Sequence, residues 1–320
     1  MKQGRVSRFL FSASFVFAIA LCAMVTVSGK DASAAEATVA SADGSEFGIS
    51  VGTLFLRREG TNNYRLLSMG GATVLDSQSL NLDDYEPGLD VSAAYKSKNG
   101  LEANFRYFGL NSRSEDTSVT ISRIIDNKPK TPGTEAISGD ISIYGSYSSK
   151  LDSAEINMGW WPVNYIGVFV GPRHLSLDET ARINITSLGN EVDISSSADN
   201  ELWGGQAGVT VDLLKTRRGC VGSIWCKAGY YDNAISTKFN IHQAFPGSPH
   251  AGGQSHTGTF VGEAGLDYKI VVVPHVALTT GYEMLWIEKT ALATAFNTTH
   301  IVDTDSVLYH GAKVALTIDW

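Results

Sequence analysis

The chain has 320 residues, 43% of them hydrophobic, with 25 basic and 33 acidic side chains and a formal net charge of −8. An acidic chain of this kind is a poor partner for nucleic acid, so we expect no nucleic-acid function. Its length allows one large domain or two small ones.

The first 34 residues have the layout of a secretory signal peptide. MKQGRVSR is basic, FLFSASFVFAIALCAMVTVSG is apolar and uncharged, and Ala32 and Ala34 supply small residues in an A-x-A pattern. We predict cleavage after Ala34, followed by a short periplasmic segment at 35–46. An uncleaved membrane anchor is the alternative, since the apolar run is about long enough to span a bilayer.

Alternation of apolar and polar residues dominates the rest of the chain. In TFVGEAGLDYKI, every second residue from Phe260 to Ile270 is apolar or glycine, and the residues between them are mostly polar. A period of two is typical of a half-apolar β-strand. We predict ten strands, near 47–57, 88–96, 101–112, 140–161, 164–177, 201–214, 225–240, 256–271, 275–288 and 306–320.

Short and long connectors alternate along this strand order. The short ones lie at 97–100, 162–163, 215–224 and 272–274, and the long ones at 58–87, 113–139, 178–200, 241–255 and 289–305. Transmembrane barrels put short turns in the periplasm and long loops outside the cell. The sequence therefore predicts an all-β, transmembrane, antiparallel up-and-down β-barrel over 47–320 in the outer membrane. It has ten strands, or twelve if residues 65–82 contain a further hairpin.

The tryptophans agree with this arrangement, because each lies within about three residues of a predicted strand end. Amphipathic aromatic rings gather at membrane interfaces. We therefore predict an interfacial position for all six: Trp160, Trp161, Trp203, Trp225, Trp286 and Trp320.

The final strand, HGAKVALTIDW, is predicted to close the barrel. Its apolar residues, from Ala312 to Ile318, would face lipid, with Trp320 at the interface. It must pair with the first strand, because unpaired backbone groups in lipid cost several kcal/mol each. A terminal aromatic strand also resembles the signal read by the barrel-insertion machinery, which is a predicted partner.

Several segments recur in a known order. YSSKLDSAEINMGWW precedes a strand ending GPRHLSLDE, ELWGGQAGVTVDLL precedes KAGYYDNAIST, and GYEMLWIEKTALA precedes the terminal HGAKVALTIDW. This order resembles a family of outer-membrane β-barrel porins best known from planctomycetes, from about residue 50 to the end. The resemblance implies an outer-membrane barrel and pore formation, and it brings no catalytic residues.

If the apolar faces meet lipid, the charged side chains between them line the lumen. These could form a salt-bridge network that plugs the barrel, or a constriction that selects solutes. A lumen of ten to twelve strands is narrow. We predict a narrow passive pore for small hydrophilic solutes, weakly cation-preferring, with a plugged structural or adhesive barrel as the alternative. The predicted lining is Asp90, Lys96, Glu102, Arg106, Glu155, Arg173, Glu263, Asp267, Lys269, Glu283, Lys313 and Asp319.

The two cysteines that survive cleavage, Cys220 and Cys226, could form a disulfide in an oxidising periplasm. As a metal site they lack further ligands, because no histidine lies nearby. We therefore predict a disulfide, with free thiols as the alternative, and no cofactor.

Histidines offer the other candidates for chemistry. Three of them (His242, His250 and His256) share one predicted external loop, where we expect no metal. His174 with Asp178 is the best catalytic pair, but no G-x-S-x-G element accompanies it. We expect no enzyme activity, although a barrel hydrolase is a third possibility, and the oligomeric state stays open.

Overall fold

The structure, a computed structural model, describes residues 45–60, 65–69, 72–76, 85–124, 138–187, 190–216, 220–243, 250–294 and 304–320. Every regular element in these ranges is a β-strand. The same ranges contain no helix that is both long enough and apolar enough to cross a membrane. The predicted signal peptide at 1–34 and nearly all of the predicted segment at 35–46 lie outside the described residues.

Ten of the twelve described strands form a closed antiparallel barrel in which sequence neighbours are also neighbours in space. The first strand pairs with the last, for example Gly48 with Asp319, and this pairing closes the ring. The strands are β1 Glu46–Gly60, β2 Arg65–Met69, β3 Ala72–Asp76, β4 Tyr85–Lys96, β5 Leu101–Ile124, β6 Ser138–Val163, β7 Ile166–Ser187, β8 Asn190–Lys215, β9 Val221–Gln243, β10 His250–Val273, β11 Val276–Ala291 and β12 Thr304–Asp319.

The predicted ten-stranded, up-and-down barrel is confirmed. The region 65–82 does contain an extra hairpin, formed by β2 and β3, but this hairpin is a separate two-stranded sheet. The barrel therefore keeps ten strands and not twelve.

One end of the barrel carries the short turns. Between β4 and β5 the amide of Gly100 donates to the carbonyl of Ser97 at 2.9 Å, and Gly100 has φ 77°. Glycine takes this left-handed conformation without steric cost, which suits the short connector predicted at 97–100 to a tight hairpin turn. We call this the short-turn end; both the start of β1 and the end of β12 lie there.

At the opposite end the strands run further than predicted. The pairing of β7 with β8 continues to Ser187 and Asn190, so the predicted loop at 178–200 is wrong. Its Ser- and Thr-rich sequence hid an alternation in which Ile183 and Ile194 turn inward while polar residues turn outward. The six neighbouring strands β5 to β10 thus extend beyond β1, β4, β11 and β12 as a projecting wall.

The outer face carries an apolar belt between two aromatic girdles. Tyr85 and Tyr95 of β4 belong to different girdles; at about 3.3 Å per residue and a tilt of roughly 40°, their spacing corresponds to about 25 Å, the height of a lipid-facing band. The lower girdle, at the short-turn end, comprises Phe47, Tyr95, Trp160, Tyr165 and Trp320, and the upper girdle Tyr85, Trp203, Tyr230, Phe260 and Trp286, all exposed. The exposed belt between them includes Val51, Phe55, Leu89, Phe105, Ile156, Met158, Val170, Ile224, Val314 and Leu316.

Two of the predicted interfacial tryptophans point into the barrel instead. Trp161 Nε1 donates to Glu102 Oε2 at 2.6 Å, and Trp225 Nε1 donates to Asp267 Oδ2 at 2.9 Å. Successive side chains on a strand alternate between faces, so Trp160 takes the outer position next to Trp161. The nearness of Trp161 and Trp225 to strand ends indicated where along the barrel axis they lie, but it did not indicate which face of the sheet they occupy.

The predicted disulfide is wrong, because Cys220 and Cys226 are free thiols. Strand β9 begins at Val221, so the chain between the two cysteines is extended. At about 3.3 Å per residue their Cα atoms lie much further apart than the roughly 4.4–6.8 Å that a disulfide spans. Cys220 is buried and Cys226 faces outward.

Candidate functional site: the barrel interior

All twelve side chains predicted to line the lumen lie on the inner face. Five are buried (Asp90, Glu155, Arg173, Glu263 and Glu283), and the others pair with inward neighbours. Strand alternation therefore predicted the orientation of these residues well. Their part in selecting solutes stays a prediction.

A layer of ion pairs crosses the middle of the barrel. Arg106 of β5 contacts Asp90 at 2.9 Å, Glu263 at 2.9 Å and Glu283 at 2.8 Å. These carboxylates belong to β4, β10 and β11, so one guanidinium links four strands. Because a guanidinium presents five donors in a fixed plane, it can satisfy several carboxylates at once.

Glu263 is the centre of this ion-pair layer. Besides Arg106, its carboxylate contacts Arg173 at 2.5 Å and Lys227 at 3.2 Å. Lys227 also lies 2.7 Å from Glu155, to which Gln206 Nε2 donates at 2.8 Å. Sequence analysis missed Lys227 because the alternation of β9 is weak, with polar residues on both faces. The available signal was its position on the face opposite Ile224, Ala228 and Tyr230, which are apolar or aromatic.

Below this layer, towards the short-turn end, lies a polar chamber of about 310 Å³. Lys313 Nζ lies 2.8 Å from Asp267 Oδ1 at its wall. Near its entrance, Lys269 contacts Asp319 at 2.5 Å, and both side chains are partly exposed. The remaining wall is mostly hydroxyl, amide and aromatic: Ser50, Ser92, Asn104, Asn157, Phe169, Thr210, Trp225, Thr279 and Thr317.

Above the ion pairs, inward apolar side chains fill the barrel. Leu54, Phe108, Leu175 and Leu285 come from four different strands, and each is at most 1% exposed. We call this the apolar layer; it further includes Leu56, Leu177, Leu202, Tyr231, Val261 and Ile287. Buried apolar side chains at this density leave few voids larger than a water molecule.

The end of β11 closes the barrel above the apolar layer. Lys289 has φ 47° within a register shift between Ile287 and Thr290. The chain then bends inward: the amide of Ala291 donates to Asn200 Oδ1 at 2.8 Å, and that of Ala293 donates to Glu179 Oε2 at 3.0 Å. Leu292, Ala293 and Thr294 are buried, so the described interior is filled from the ion pairs to this segment.

The predicted alternatives for chemistry are placed on the outer face. His174 contacts Glu201 at 2.6 Å, and no contact with its predicted partner Asp178 is found among the described side chains. His250 and His256 pair with Asn240 and Asp232 respectively. The described ranges contain no group of three or more potential metal ligands.

Comparisons with known proteins find similarity in architecture. The chain matches no protein-family model and no curated protein, so the resemblance to planctomycete porins stays a prediction. Among solved structures it is similar to the outer membrane protease OmpT of Escherichia coli (12% identity, TM-score 0.48, covering 86% of this chain and 96% of that one).

Two further similar structures are the translocator domain of the autotransporter NalP of Neisseria meningitidis and the toluene transporter TodX of P. putida. The first has 10% identity and a TM-score of 0.36, covering 85% of this chain and 88% of that one. The second has 8% identity and a TM-score of 0.32, covering 89% and 92%. The closed antiparallel barrel is established by its own strand pairing, and these distant similarities carry no information on activity.

Proposed function

We propose that this protein is a closed outer-membrane barrel that acts as a structural or adhesive scaffold, with its projecting wall at the cell surface. The proposal rests on one observation: side chains of the ion-pair layer and the apolar layer fill the lumen. An aqueous pore needs a continuous wet path, and here that path would have to cross both the ion-pair layer and the apolar layer. A ten-stranded barrel is near the size at which side chains alone fill the interior.

The shape of the outer end also supports a scaffold. The wall formed by β5 to β10 extends well past the upper girdle, and its outer face carries polar side chains such as Asp178, Asp199 and Asp232. Side chains on the strands of a rigid sheet are held more precisely than side chains on loops. The narrow passive pore predicted from the sequence is the competing function.

Planar-bilayer conductance of the purified barrel separates the two functions. We expect no stepwise conductance from the wild type, and no swelling of proteoliposomes in small sugars. An enlarged-lumen variant changes two residues of each layer to Ser (Arg106 and Glu263, Phe108 and Leu285) and should conduct more than the wild type. A matched control changes the lipid-facing Phe105 to Leu and Ile156 to Val and should stay closed. Stepwise conductance by the wild type would overturn the proposal in favour of the pore.

A further inference from the structure

Three side chains on the outer face, away from the lumen, have the composition of a nucleophilic site. His174 and Ser176 lie two residues apart on β7, and Glu201 is the direct partner of Ser176 on β8. His174 Nε2 lies 2.6 Å from Glu201 Oε2, and Ser176 Oγ donates to Glu201 Oε1 at 3.2 Å. One carboxylate therefore holds both the imidazole and the hydroxyl. We call these residues the outer triad.

The outer triad lies at the edge of the lipid-facing belt. His174 is the register partner of Trp203, and the two ring centroids are 4.2 Å apart. Trp203 belongs to the upper girdle and is 66% exposed. Ser176 and Glu201 come one step further from the belt, at the depth where hydrocarbon gives way to headgroups. The acyl ester groups of a lipid lie at this same boundary.

We propose that the outer triad hydrolyses acyl esters of lipids in the adjoining leaflet. A serine nucleophile needs a base that takes its proton and a third group that orients the base, and Glu201 already orients His174. The other ring nitrogen, Nδ1, is left to act as the base. Ser176 is 9% exposed and also donates to Asp178 Oδ1 at 3.4 Å, so its hydroxyl must turn away from both carboxylates to react. Because Ser176 is two residues from His174 on the same face, with Cα atoms about 6.6 Å apart, rotation of its side chain towards the imidazole completes the arrangement.

The reaction is an acyl transfer to serine followed by hydrolysis. Ser176 Oγ bonds to the ester carbonyl carbon as His174 takes its proton, the ester C–O bond breaks, and the leaving alcohol receives that proton. Water then attacks the acyl-serine, giving its proton through His174 to Oγ and releasing the fatty acid.

Sequence analysis paired His174 with Asp178 and missed Glu201. The two carboxylates differ in chain position, since Glu201 is on another strand and becomes a neighbour only through the register of β7 with β8. The signal that could have found it is an H-x-S pair on the outer face beside an acidic residue of the next predicted strand. The activity goes beyond the closed scaffold and does not depend on it.

The test uses the full-length barrel in lipid–detergent micelles and a fluorophosphonate probe, which reacts covalently with activated serine. We expect the probe to modify Ser176, as located by peptide mass spectrometry, and wild-type protein to release fatty acid from dioctanoyl phosphatidylglycerol. Ser176→Ala should abolish both signals, and His174→Gln or Glu201→Gln should slow labelling roughly 100-fold or more. The matched control is Ser148→Ala, also on the outer face of β6, which should behave as wild type.

Heat-dependent gel mobility establishes that each variant is folded before its activity is compared. Labelling of the wild type no greater than that of Ser176→Ala, or labelling at a different serine, would overturn the proposal. So would fatty-acid release that is unchanged in Ser176→Ala. None of these results bears on lumen conductance, so the closed scaffold is judged separately.

Discussion

At the scale of single residues, the interior is organised around one carboxylate. The carboxylate of Glu263 forms ion pairs with three cations, Arg106, Arg173 and Lys227. Transfer of these charges from water is costly, and the cost is offset only while every partner is present. Each member of the ion-pair layer is therefore hard to remove alone, whereas joint removal of opposite charges is better tolerated.

This reasoning predicts the effect of Glu263→Gln. The substitution keeps the size of the side chain but leaves three buried cations short of one negative charge, so we expect a loss of roughly 3–5 kcal/mol in the free energy of unfolding. Urea unfolding in micelles, followed by tryptophan fluorescence, measures it. The control is Asp319→Asn, whose partly exposed pair with Lys269 should contribute about 1 kcal/mol or less. Equal effects of the two substitutions would contradict the central role of Glu263.

A second residue-scale prediction concerns Asp178, which lies beyond the upper girdle. Burial and the nearby charges of Asp199 and Glu201 raise the pKa of Asp178 above its usual value. As pH rises, the unfolded chain loses this proton before the barrel does, so the charge destabilises the fold at neutral pH. Asp178→Asn should add roughly 0.2–1 kcal/mol to stability at neutral pH, the range for like charges opposed across strands.

The pH dependence of the stability difference separates charge repulsion at Asp178 from any other effect of the introduced amide. Below the ordinary pKa of aspartate, Asp178 is protonated in both states, so the wild type and Asp178→Asn should be equally stable. Urea midpoints measured across the acidic range test this. A stabilisation that persists at the lowest pH would show that repulsion with Asp199 is not its source.

At the scale of elements, alternation predicted the barrel strands and the faces of the twelve charged candidates. The prediction from alternation failed where the composition of a strand obscured the contrast between its two faces. In β7 and β8 the serine-rich composition hid the inward residues Ile183 and Ile194, and in β9 the polar Asp232 and Lys238 hid Lys227. Contacts such as that of Ser176 with Glu201 depend on register, which no single strand encodes.

The assignment of faces in β9 is testable at its cysteines. In a Cys220→Ser background, Cys226 in lipid vesicles should react with an apolar pyrene maleimide and resist a charged, membrane-impermeant maleimide. The reason is its position on the lipid-facing side between the two girdles, where water is scarce. The matched variant carries Asp232→Cys and Cys226→Ser; residue 232 lies on that face one step beyond Tyr230 of the upper girdle and should react with the charged reagent.

Reactivity of Cys226 with the charged reagent would place this part of β9 outside the lipid. Unfolding in detergent and urea should remove the protection, which shows that the fold and not the thiol itself sets the reactivity. The same experiment tests the absence of the disulfide, because an oxidised cysteine pair would leave both thiols of wild-type protein unreactive until it is reduced.

At the scale of the whole molecule, the two ends of the barrel differ in the filling of the interior and in the length of the strands. The short-turn end opens into the polar chamber, whereas the opposite end is filled and continues as the projecting wall. The polar outer face of that wall cannot lie in hydrocarbon, because each buried polar group without a partner costs several kcal/mol. Insertion therefore fixes the apolar belt in the membrane and leaves the wall in water on one side.

This asymmetry predicts which end faces outward in cells. An epitope inserted between Ser187 and Asn190, at the tip of the β7–β8 hairpin, should bind antibody on intact cells, since short turns face the periplasm in such barrels. The same epitope inserted between Lys98 and Asn99 should bind only after the outer membrane is permeabilised. Heat-dependent gel mobility confirms that both insertions are folded. Binding to intact cells at residues 98–99, with none at the hairpin tip, would reverse the orientation and place the outer triad in the periplasmic leaflet.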